Sequence, residues 1–142
     1  MHRNLKPENI LIDSNKKVIL CDFSMARLMD NSIINYTPED PKERDRSGRE
    51  ARRLWYRAPE LLLRKSKYTQ EIDMWSVGCI IAEMFTNSVL FEGDSEVEQL
   101  FKVLTLTGSY TEETLKMFQK GEEDFKTTPM PVWEKIDFVK LI

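Results

Sequence analysis

The chain has 142 residues, 41% of them apolar and 32% charged, which is enough for one domain with a sizeable core. Its 21 Lys and Arg against 24 Asp and Glu give a net charge of -3, which excludes a general binder of nucleic acid or of membrane surfaces, whose electrostatic footprint is basic. The longest apolar stretch, "MWSVGCIIAEMF", is interrupted by Glu83 and too short to span a bilayer, and the polar "HRNLKPEN" after Met1 does not read as a signal peptide.

In chain order, "NILI" and "VILCDF" flank the polar "DSNKK", so residues 9–23 are predicted to be two short strands joined by a turn. From Asp30 to Arg53 the chain is polar, with Pro38, Pro41, Gly48 and dense mixed charge, and reads as a loop whose arginines are solvated. Thr69 to Phe85 reads as a helix. Its apolar residues (among them Ile72, Met74, Trp75, Ile80, Ile81, Met84 and Phe85) spread around nearly the whole circumference, which predicts a buried central helix. Asp73 inside it then needs hydrogen-bond donors, because a buried carboxylate is costly without them.

A second helix is predicted from "DSEVEQLFKVL", with Ser95 and Glu98 as a capping box and Val97, Leu100, Phe101 and Leu104 as its apolar stripe. "TEETLKMF" reads as a shorter third helix, followed by an irregular, aromatic-bearing tail. Trp55 and Trp75 are expected in the core. Cys21 and Cys79 lie far apart inside apolar runs with no metal-ligand spacing. Both are expected as buried free thiols of a reducing compartment, placing the protein in the cytoplasm or nucleus. The element pattern predicts an α+β fold that is mostly α.

Four stretches, in order, resemble one family. "HRNLKPEN" resembles the protein kinase catalytic loop H-R-D-L-x-x-x-N and "CDFS" the metal-binding D-F-G. "WYRAPE" is similar to the A-P-E close of the activation segment, and "DMWSVGCIIAEM" to the buried helix that follows it. "LWYRAPELLL" and "LFEGDSEVEQLF" look like cyclin-dependent kinases, with MAP kinases as the nearest rival. The resemblance runs nearly from end to end but covers about half of the family's catalytic domain. It implies a large-lobe fragment over residues 1–142, with the small lobe, the helix before the catalytic loop and the terminal helices absent.

The resemblance also implies roles. Asn9 and Asp22 match the magnesium ligands, and with Lys6, which contacts the transferring phosphate, they match the ATP-binding residues. Arg3 matches the arginine that receives an activation-segment phosphate, with Thr37 as first acceptor and Ser47 as second. His2, Glu60 and Asp73 match structural positions: Asp73 accepts hydrogen bonds from the backbone of the H-R-D turn, and Glu60 pairs with an arginine beyond Ile142. The implied partners are a protein substrate and a cyclin, the latter docking mainly on the small lobe.

Three residues depart from the pattern. Asn4 stands where the family has the aspartate that takes the substrate's hydroxyl proton, and an amide cannot take it. Ser24 replaces the D-F-G glycine, restricting a backbone position that glycine leaves free. Arg53 replaces a threonine, adding a positive charge near Lys6. The activation segment is longer than usual by about the length of "EDPKERDRSGR". The five glycines form no glycine-rich loop, and no V-A-I-K lysine is present. Three readings follow: an inactive partial kinase, a pseudokinase fragment that docks a partner through Glu92–Trp133, or an enzyme completed by a small lobe in trans.

Overall fold

Residues 1–28, 49–63, 68–109 and 132–134 are described by the structure, a computed structural model, with residues 49–51 described by their backbone alone. Two strands come first, β1 (Ile10–Ile12) and β2 (Val18–Leu20), preceded and followed by short 3-10 turns at Pro7–Asn9 and Phe23–Met25. Four helices follow: α1 (Arg49–Leu54), α2 (Pro59–Leu62), α3 (Glu71–Thr86) and α4 (Glu96–Thr107). An α+β fold that is mostly helical among the described residues agrees with the expectation.

The hairpin forms where the apolar runs predicted it. Its strands pair antiparallel, Ile10 with Leu20, Leu11 with Ile19 and Ile12 with Val18. Asp13 shapes the turn: its Oδ1 accepts from the backbone N–H groups of Asn15 and Lys17, each at 2.8 Å. Lys16 takes the left-handed conformation there, at φ 62°, a cost that glycine would not incur.

Helix α3 supplies one wall of the core. Ile72, Ser76, Cys79 and Ile80 are its buried residues. Cys79 and Ile80 join a cluster with Leu5, Tyr56, Phe91, Val103 and Leu106, with Trp55 and Trp75 packed against it. Trp75 stacks on Phe91 at 6.0 Å between ring centroids. Tyr56 donates its hydroxyl to Glu83 Oε2 at 2.5 Å. Burial and that carboxylate push the phenol well above its ordinary pKa. Cys79 is a buried free thiol, as expected, and burial raises its pKa to about 12; Cys21 is free but only half-buried.

The expectation that α3 is covered on all sides is corrected. Met74, Ile81, Met84 and Phe85 are 66%, 48%, 78% and 76% exposed. The apolar residues on the circumference are those predicted, but the described elements pack on one face of the helix only.

Helix α4 begins at Ser95, whose hydroxyl oxygen accepts from the N–H of Glu98 at 3.2 Å. The reciprocal bond of the predicted capping box goes one residue further back, from Asp94 N–H to Glu98 Oε2 at 3.0 Å. The predicted stripe is also rotated. Val97 is 64% and Phe101 38% exposed, and the buried residues are Gln99, Val103, Leu104 and Leu106. Gln99 is polar yet fully buried: its Oε1 accepts from Gly93 N–H at 2.9 Å, while its Nε2 is buried with no hydrogen-bond partner among the described residues. The carbonyl of Gly93 accepts from Trp55 Nε1 at 3.1 Å. A Cβ on Gly93 would lie 2.6 Å from the backbone nitrogen of Gln99, so this turn admits no side chain without displacement.

Arg57 and Glu96 pair at 3.3 Å on the α4 side of α2. Trp133 N–H donates to Ser109 Oγ at 2.7 Å, and the Trp133 ring meets Phe101 edge-on at 5.5 Å. The predicted helix "TEETLKMF" lies outside the described residues, as does the predicted loop up to residue 48. The last residues of that loop are helical instead, as α1, where Arg52 and Arg53 sit favourably in the last turn. No described helix is long and apolar enough to cross a membrane.

Candidate active site

Residues 2 and 3 are held against the first turn of α3 by Asp73. Its Oδ2 accepts from the backbone N–H of His2 at 2.7 Å and its Oδ1 from that of Arg3 at 2.8 Å. Both oxygens of a half-buried carboxylate are thus satisfied, in a chain turn where Arg3 adopts φ 68°. The two charge-assisted bonds offset that left-handed strain. His2 is buried beside Phe23, with ring centroids 4.9 Å apart. Asn4 N–H donates to its Nδ1 at 3.3 Å, which puts the ring proton on Nε2 for a bond to the Cys21 carbonyl at 3.0 Å.

These contacts deliver the end of β2 to residues 2–9. Asn9 is buried; its carbonyl accepts from Cys21 N–H at 3.0 Å, and its Nδ2 donates to the Asn4 carbonyl at 2.7 Å. Asp22 follows in the left-handed region at φ 61° and is exposed. Asn4 Nδ2 donates to Asp22 Oδ2 at 3.1 Å. Ser24 donates to Asp22 Oδ1 through its hydroxyl at 2.5 Å and its N–H at 3.4 Å. The hydroxyl and then the N–H of Ser24 hold the Asp22 carboxyl below its usual range, with lesser help from His2 and Lys6. Asp22 is therefore ionised at neutral pH.

The structure thus brings His2, Arg3, Asn4, Lys6, Asn9, Asp22 and Asp73 into one neighbourhood. Glu60 sits apart from them, half-buried in the first turn of α2. Thr37 and Ser47 lie outside the described residues. The Arg3 guanidinium donates to the Met25 carbonyl at 2.8 Å and to Tyr68 Oη at 2.7 Å. The sequence reading missed Tyr68, which has no motif around it. It also gave Ser24 only a backbone effect, whereas Ser24 has no positive φ and its hydroxyl is what matters. Arg53 does line the same cavity as Lys6, together with Arg3, Asn4, Arg57 and Asp73.

The donor set suits a hard cation such as magnesium, which takes oxygen from one or two carboxylates and from substrate phosphates. With its amide nitrogen committed to Asn4, Asn9 would have Oδ1 left to offer a cation, and Asp22 would offer a carboxylate. No cluster of three or more His, Cys, Asp or Glu suited to a metal occurs among the described residues. Asn4 adds a donor beside the carboxylate and no basic oxygen. In an active site of this shape, the residue at position 4 would face a substrate hydroxyl, which an amide can orient but not deprotonate.

The family model of the protein kinase domain matches residues 1–135. That match covers the catalytic loop, the hairpin, the Asp22 turn and helices α1 to α4, so the chain belongs to the protein kinase domain family.

Proposed function

We propose that the chain is the catalytic-loop half of a cyclin-dependent-kinase-like serine/threonine kinase domain whose phosphoryl transfer is disabled at Asn4. The observation that carries this reading is the bond from Asn4 Nδ2 to Asp22 Oδ2. At the position where the family has a proton acceptor, this chain has a donor, turned toward the metal-ligand position. Protein kinases use ATP and magnesium. Here Asp22 and Asn9 would hold the magnesium and Lys6 would meet the transferring phosphate. The magnesium supplies neutralisation of phosphate charge when bound. Arg3 is the proposed receiver of a phosphate on Thr37 or Ser47, and a protein serine or threonine is the proposed substrate.

The cyclin-dependent assignment rests on "LWYRAPELLL" and "LFEGDSEVEQLF"; a MAP-kinase-like origin is the alternative. A scaffold role is the second reading, favoured by the exposed apolar side chains Val97, Phe101 and Val132 in the Glu92–Trp133 region. Labelled ATP separates these proposals from an active enzyme. The purified chain should incorporate no phosphate into peptide or into itself above a heat-killed control, and magnesium-dependent incorporation would overturn the inactive reading.

A further inference from the structure

Two of the three departures from the family motif meet at one carboxylate. Asn4 donates to Asp22 Oδ2 at 3.1 Å and Ser24 to Oδ1 at 2.5 Å. The family pattern has an aspartate at position 4 and a glycine at position 24, and neither offers a side-chain donor. In this chain both do, one on each oxygen. We infer that Asn4 and Ser24 form a two-sided donor clamp on Asp22 that lowers the site's affinity for a divalent cation.

The physics is a competition for the same lone pairs. N–H and O–H donors place partial positive charge where a cation would place its full charge, so a cation must share or displace them. Two acids at positions 4 and 22 would repel each other, and a cation between them would relieve that repulsion. An amide at position 4 removes the repulsion without the cation. The clamp is also held in place. The Asn4 carbonyl accepts from Asn9 Nδ2 at 2.7 Å, and the Asn4 N–H donates to His2 Nδ1. Turning the Asn4 amide over would bring Oδ1 against an ionised carboxylate, so the donor orientation is the stable one. On the other side, Ser24 is the second residue after Asp22 in a 3-10 turn, a separation that lets its hydroxyl fold back onto the carboxylate.

This inference rests on Asp22 and Asn9 being a cation site, as proposed above. Its test is binding of manganese alone to the full 142-residue chain, read from the paramagnetic resonance signal of the free ion. Asn4→Ala and Ser24→Ala remove one donor each without changing charge. Each should tighten manganese binding by about three- to tenfold, the worth of one hydrogen bond to an ionised group at an exposed site. The double variant should bind more tightly than either, and Asp22→Asn should lose the ion. Ser24 is exposed, so its variant keeps the test open should Asn4→Ala fold poorly. Unchanged or weaker binding in either folded single variant would overturn the clamp. Absence of manganese binding in every variant would overturn it as well, while leaving the disabled-kinase reading in place.

Discussion

Residues 1–25 and residues 55–107 are held by different chemistry. In the first region several apolar side chains of the hairpin and the Asp22 turn face outward: Ile12 is 70%, Val18 61% and Phe23 60% exposed. Leu5 and Ile10 tie this region to the core, but the site residues are placed by hydrogen bonds, with Asp73, Asn9 and His2 as anchors and with Arg3, Lys16 and Asp22 in left-handed conformations. In the second region Leu104, Gln99 and Val103 are fully buried, and shape decides. A site must aim donors and acceptors, and directional bonds to a carboxylate do that where packing cannot. The helices provide the rigid wall that carries the carboxylate.

The comparison makes unequal predictions for the two regions. Leu104→Ala should cost the most, about 2–5 kcal/mol, because it opens a cavity in the packed region. A denaturation midpoint close to that of the parent would show that the helical core is not what holds the fold. Asp73→Ala should cost less, about 1–3 kcal/mol, by stranding the His2 and Arg3 N–H groups. Its signature should be local. Hydrogen exchange ought to accelerate at residues 2–9 with little change in α3 and α4, whereas a uniform loss of protection would make the two regions one cooperative unit. Lys16→Gly should stabilise the hairpin by about 0.5–1 kcal/mol, since glycine accepts the φ of 62° without a Cβ penalty.

The smallest effect is a matter of pH. The Asp22 carboxyl is depressed from 3.8 in the folded chain. Any stability it lends is present above the unfolded value and lost as pH falls through the folded one. Ser24→Ala should raise its titration midpoint toward 3.8, because the Ser24 hydroxyl is the main cause of the depression. Carboxyl carbon chemical shifts followed below pH 5 would read this directly, and an unmoved midpoint would assign the depression to other groups.

What was legible in the sequence follows the same division. The hairpin, the Ser95 cap and the need of Asp73 for donors could be read because each depends on local spacing or on one costly group. Packing direction could not. The apolar residues of α3 were read correctly, but which face is covered depends on neighbours far along the chain. Gln99 was missed as a core residue because its polarity hides it, and its Oε1 is met by the N–H of Gly93, a glycine with no distinguishing pattern. The motif pointed to residues that the structure gathers around Asp22, while the Asn4–Asp22 bond was not legible, being a contact across 18 positions. It needed the hairpin's register and the left-handed Asp22 to be seen.

The central claim is the proposal that Asn4 is the residue that disables phosphoryl transfer at this site. The most direct measurement is turnover in a chimera that adds the small lobe and terminal helices of a related protein kinase to this chain, for the four combinations of Asn4 or Asp and Arg53 or Thr at those positions. With Asn4 the chimera should bind nucleotide yet turn over slowly, and Asn4→Asp should raise turnover by about 10²–10⁴-fold, the worth of a positioned base. Arg53→Thr should add to this, non-additively, because Arg53, Asn4 and Lys6 line one cavity. If the chimera with Asn4 turns over as fast as the one with Asp, Asn4 is not the disabling residue and the account is contradicted.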